Sequence, residues 1–213
     1  MSGAHALAAL GLAVSVLAVL IQFPLGIRSM MEAGMSMPGA VIAFFSYFTI
    51  LTNIFAALVY LAALSGGRMA FFRRPATRAC ALVSIVVVGI VYHFLLAGLW
   101  NPQGIRYVTD VMLHYAAPAL MLVWWVACGR SGTLSWTVLP SLLAYPALYV
   151  VYVLARAPIA GKIPYPFLDF WTNGWGSVAW SALGIAALFG TLGALAILAD
   201  RHLPRQPPDR TPA

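Results

Sequence analysis

The chain has 213 residues, of which 62% are apolar and only 8% charged, and its mean hydropathy is +0.91. A soluble domain carries roughly 25% charged residues, so the composition excludes one and points to an all-α integral membrane protein. The net charge of +7 does not indicate nucleic acid as a partner, because the arginines are spread over short loops with no basic stripe of interleaved aromatics.

Apolar windows of about 20 residues, enough to cross a hydrocarbon core of roughly 30 Å, fall at 5 to 25, 41 to 64, 79 to 100, 110 to 128, 134 to 155 and 175 to 199. They predict six transmembrane helices. The first lacks a preceding basic region and a small-residue cleavage site, so it reads as a retained helix. Gly34 with Pro38, Gly66-Gly67 with Pro75, Asn101-Pro102, Gly129 with Gly132, and Pro158 through Gly174 punctuate the breaks. The expected organisation is one transmembrane domain over residues 1–200 and a proline-rich, disordered tail over 201–213. Eight Lys and Arg fall on one side of this topology and four on the other, which predicts that both termini are cytoplasmic. Cys80 and Cys128 suggest neither a disulfide framework nor a metal cluster.

The second window contains Ser46, Thr49, Thr52 and Asn53, an unusual density of hydrogen-bonding groups for a lipid-crossing helix. At 1.5 Å per residue Thr49 lies about 12 Å from the outer end of its helix, His114 about 8 Å and His93 about 10 Å. The three share one depth band. Asn53 follows Thr49 by four residues and Asp110 precedes His114 by four, so each pair stacks on one helical face. Polar groups at that depth are costly against lipid and are expected to face a wet cavity opening to the outer leaflet. Each also has a plain packing role: threonine bonding its own i−4 carbonyl, Asn53 and His93 joining helices, Asp110 capping the fourth helix. Trp100, Trp171, Trp175 and Tyr107 fit an outer interfacial belt, and Trp124, Trp125 and Trp136 an inner one.

Three segments, in this order, carry a family resemblance: "FSYFTILTN" around Thr49, "DVMLHYAAP" around His114 and "GKIPYPFLDF" before the sixth window. Together they resemble the androgen-induced and androgen-dependent six-helix membrane proteins, threonine-dependent hydrolases of fatty acid esters of hydroxy fatty acids. The loops here are shorter and less charged than in the animal members, which resembles a prokaryotic relative and implies a bacterial inner membrane. The resemblance implies a lipid-ester substrate, no cofactor and no metal, with Thr49 as nucleophile and His114 as its base. Asp110 is then the candidate to orient the imidazole. The Thr49 backbone N–H is expected to be tied up inside a helix, so side chains must stabilise the oxyanion, in the order Asn53, Asn101, Tyr165, His93. Acyl tails are expected among Phe44, Phe45, Phe48, Leu51, Phe94 and Leu95.

A transporter or channel is the main competing reading, and it requires polar residues through the full depth of the bundle. A scaffold whose polar groups only join helices is a third. Metal-dependent hydrolysis from His93, His114 and Asp110 has no HExxH or paired-carboxylate spacing behind it.

Overall fold

A computed structural model describes residues 3–203. Among these there is no strand; the described residues form helices joined by short loops. We number the helices α1 (Gly3–Glu32), α2 (Met37–Phe44), α3 (Phe48–Leu64), α4 (Pro75–Leu96), α5 (Ile105–Gly129), α6 (Trp136–Ala160) and α7 (Phe170–His202). Five of them are long and apolar enough to cross a membrane. The pair α2 and α3, bent by 63° at a short break, makes a sixth span. This is a multi-pass helical membrane protein.

The spans follow the apolar windows with two changes of substance. The second window is a broken span rather than one helix, and α7 runs to His202, two residues into the segment expected as tail. The remainder of that tail, from residue 204, lies outside the described residues.

Helix α1 buries Ala8, Gly11, Ser15 and Ala18, a spacing of three and four that puts small residues on one face. Such a stripe lets two backbones approach closely where lipid gives no hydrophobic drive for association. Its partner is α3, and Tyr60 of α3 is seated against Gly11. A Cβ added at Gly11 would lie 2.2 Å from Tyr60 Cζ. Tyr60 is fully buried, with its ring 5.2 Å from that of Trp124, and has nowhere to retreat. Gly11→Ala is therefore expected to destabilise the bundle by about 1–3 kcal/mol; an unchanged thermal midpoint in detergent would contradict this packing.

Helix α4 is the central span, packed on α3, α5, α6 and α7. It buries Ala81, Leu82, Val83, Ile85, Val87 and Val88 in one run. Trp124 and Trp125 of α5 are also buried, at 3% and 2% exposure. They serve this core and do not form the inner interfacial belt the sequence suggested; Trp136 alone of the three is exposed there.

The start of α1 meets the end of α3, Arg78 of α4 and Cys128 of α5, while Asp200 near the end of α7 accepts from the N–H groups of Ser131 and Leu134 at 2.7 and 2.9 Å. Both ends of the described chain thus lie at one end of the bundle. Arginines satisfy carbonyls there: Arg73 donates to Ala62 (3.3 Å), Arg78 to Gly129 (3.3 Å) and Arg130 to Leu203 (2.8 Å). Gln22, Asn101, Arg106 and Lys162 gather at the opposite end.

Candidate active site

The break between α2 and α3 explains the polar residues of the second window. Backbone groups freed by a break inside a membrane must find partners within the protein; two tyrosines supply them directly, and a third meets the Ser46 hydroxyl. Tyr149 Oη donates to the Ser46 carbonyl at 2.9 Å. Ser46 Oγ donates to the Ile42 carbonyl at 2.6 Å and lies 2.8 Å from Tyr152 Oη. Tyr165 Oη accepts the Thr49 backbone N–H at 3.2 Å and lies 3.3 Å from Thr49 Oγ1.

Thr49 is consequently the second residue of a helix, not an interior one. The residue four before it, Phe45, belongs to the break, so the Thr49 N–H has no partner within its own helix. The expectation is corrected in the partner: the N–H is bonded not by a helix carbonyl but by a side-chain hydroxyl, at the positive end of a 17-residue helix. Burial pushes the Tyr165 phenol above its ordinary pKa, keeping it a protonated donor.

His114 lies in a π turn, Met112–Ala116, within α5. Its Nδ1 is 3.0 Å from the Asp110 backbone carbonyl and 3.2 Å from Asp110 Oδ1. A carbonyl can only accept, so Nδ1 carries a proton, and Nε2 is the ring nitrogen left to act as a base. Helix α5 begins at Ile105 with Gly104 before it, which removes the capping role considered for Asp110. That carboxylate instead takes His114 on Oδ1 and the Tyr92 hydroxyl on Oδ2. Tyr92 opens a second π turn, Tyr92–Leu96, and stacks on the His114 ring with centroids 3.7 Å apart. π turns shift the phase of a helical face by a residue and recur at functional sites.

Thr49, Tyr165, Asp110, His114 and Asn101 all line one cavity of about 700 Å³, together with Gln22, Tyr47, Trp100, Arg106 and Lys162. Thr49 and His114 are not hydrogen-bonded to each other; the cavity lies between them. Asn53 holds their helices together: its Nδ2 donates to the Thr49 carbonyl at 2.8 Å and to the Leu113 carbonyl at 3.4 Å. Asn53 is fully buried and absent from the cavity wall; its Nδ2 is committed to backbone, and its Oδ1 is buried without a hydrogen-bond partner. His93 is exposed, pairs with Tyr115 at 3.1 Å and does not line the cavity. No three His, Cys, Asp or Glu side chains come together among the described residues.

Of the residues expected to line a tail channel, Phe94 (77% exposed), Leu95 and Phe45 lie on the outer surface. Phe44 and Phe48 are buried and line cavities. At the other end of the bundle a pocket of about 150 Å³ around His5, Arg73 and Trp124 shares no lining residue with the large cavity. Buried Tyr60, Trp124, Trp125 and Leu82 fill the core on that side.

What these features define is a helical membrane protein with a hydroxyl, an imidazole and a carboxylate on the wall of one polar cavity. Compared with family models, with curated proteins and with solved structures, the chain matches none.

Proposed function

We propose that the protein is an intramembrane hydrolase of lipid esters, with Thr49 as nucleophile and His114 as base. The observation that carries this reading is the pairing at Thr49 of a hydroxyl with two donors, its own N–H and Tyr165 Oη, facing a cavity that His114 shares. His114 Nε2 takes the proton as Thr49 Oγ1 adds to the ester carbonyl, and the tetrahedral oxyanion replaces Tyr165 Oη as acceptor of the Thr49 N–H while Tyr165 Oη donates to it. Collapse transfers the acyl group to Oγ1, while the alcohol leaves with the proton from His114. Water then adds by the same route and releases the acid. Asp110 holds the imidazole in the required tautomer and balances its charge after protonation.

The resemblance of three sequence segments to the threonine-dependent hydrolases supports the reaction class and, with it, a fatty acid ester of a hydroxy fatty acid as substrate. Eight of the 12 Lys and Arg residues lie on the termini side in the sequence-derived topology, which supports cytoplasmic termini and a site facing the outer leaflet; the short, weakly charged loops support residence in a bacterial inner membrane. Transport is the weaker reading, because a pathway has to cross the bundle and the cavity at one end shares no lining residue with the pocket at the other.

The test is purified protein with p-nitrophenyl esters and with an ester of a hydroxy fatty acid. Hydrolysis lost in both Thr49→Ala and His114→Ala supports the mechanism; hydrolysis that survives both overturns it. Tyr92 acts at one remove, so Tyr92→Phe, which keeps the stacked ring but removes the bond to Asp110, is expected to lower kcat by about tenfold with KM unchanged. A variant with unaltered kcat would assign Tyr92 to packing alone.

A further inference from the structure

Thr49 and Tyr165 stand in a wall with space on both sides. Behind the polar cavity is a second pocket of about 60 Å³, formed where α3, α4, α6 and α7 meet the loop before α7, and it shares Thr49, Tyr165 and Leu96 with the first. Its remaining walls include Phe48, Val87, Val91, Ile185 and Phe189. The site is therefore asymmetric about the reacting hydroxyl: the large cavity mixes hydrogen-bonding and charged groups with apolar ones such as Leu25, Met30, Ile50 and Leu113, whereas the small pocket is almost wholly hydrocarbon.

Resting on the hydrolase reading, we infer that this apolar pocket receives the acyl chain of the ester, while the alcohol portion and any acidic group occupy the polar cavity. An ester carbonyl attacked by Thr49 has two substituents that leave in different directions. The one retained on Oγ1 has to be held through the acyl-enzyme stage, and the other departs by a route open to water. Water reaches His114 through the polar cavity, so the departing alcohol belongs there and the retained chain belongs behind Thr49. At roughly 10–15 Å³ of such free space per water-sized group, the pocket takes about four to six methylenes. The chain nearest the carbonyl is then selected by its walls, and kcat/KM is expected to rise roughly three- to fourfold per methylene until the pocket is full.

Ile185 lies in this wall and outside the polar cavity, which makes it the position to vary. The experiment measures kcat/KM for p-nitrophenyl acetate, butyrate, hexanoate and octanoate, and for acetate esters of alcohols of the same lengths, in wild type, Ile185→Trp and Ile185→Ala. Ratios between variant and wild type cancel partition into detergent. Ile185→Trp is expected to depress the hexanoate by at least tenfold relative to the acetate and to leave the alcohol series parallel to wild type; Ile185→Ala is expected to move the preferred acyl chain to greater length. If both variants keep the wild-type acyl profile, or if the alcohol series shifts instead, the assignment is overturned. Turnover of the acetate reports folding, and if Ile185→Trp loses it, the profile of Ile185→Ala decides. Turnover that does not depend on Thr49 overturns the hydrolase reading itself, a result distinct from Thr49-dependent turnover without chain selectivity.

Discussion

Replacing Thr49 by alanine is expected to lower ester turnover by at least about 10³-fold, while Thr49→Ser keeps measurable activity. The alanine removes the atom that forms the covalent intermediate, so no adjustment of substrate position compensates. Nucleophile and base act as a unit, and removing both costs little more than removing either. The double variant Thr49→Ala/His114→Ala is therefore expected to match the single variants, whereas multiplied losses would mean the two residues act in separate steps. The fold tolerates the change: Thr49 Oγ1 has a single neighbouring hydroxyl, Tyr165, at 3.3 Å, and the α3 N-terminus keeps its N–H bond to the same phenol.

The second large effect belongs to Tyr165. Tyr165→Phe keeps the ring against Phe167, 5.2 Å between centroids, and edge-on to Tyr47 at 6.0 Å. It removes one of the two oxyanion donors, a loss of about 10²–10³ in kcat with little change in KM. The same change leaves the Thr49 N–H buried without its acceptor, at a cost of about 1–3 kcal/mol in stability. The two consequences separate experimentally, since the first is read from kinetics at a temperature where the variant is folded and the second from its thermal midpoint. A variant with normal kcat and a lowered midpoint would make Tyr165 a structural plug for the helix break and nothing more. Because burial raises the phenol above its ordinary pKa, the wild-type rate is not expected to fall through ionisation of Tyr165 at moderately alkaline pH.

The six spans were legible because a bilayer imposes a length on apolar runs: the windows at 79 to 100 and 175 to 199 overlap most of α4 and α7, although α7 is kinked at Gly174 (φ 74°). The break at residues 45 to 47 was not legible. No Pro or Gly marks it, and it exists because Tyr149, Tyr152 and Tyr165 arrive from α6 and the loop before α7 to satisfy what it exposes. This hid the feature that makes Thr49 chemically interesting, its N–H at a helix start, and made Asn53 look like the better donor. Tyr92 was missed for a related reason. Spacing at 3.6 residues per turn cannot anticipate the π turns at Tyr92–Leu96 and Met112–Ala116, which bring Tyr92 over His114. The i,i+4 relation of Asp110 to His114 was readable, since a helical turn fixes it whatever follows.

The most direct measurement of the central claim is mass-spectrometric mapping of a fluorophosphonate adduct on the purified protein. One adduct is expected, on Thr49 Oγ1, formed in wild type, slowed strongly in His114→Ala and absent in Thr49→Ala. An adduct on any other residue, or labelling of Thr49 at an unchanged rate without His114, would contradict it.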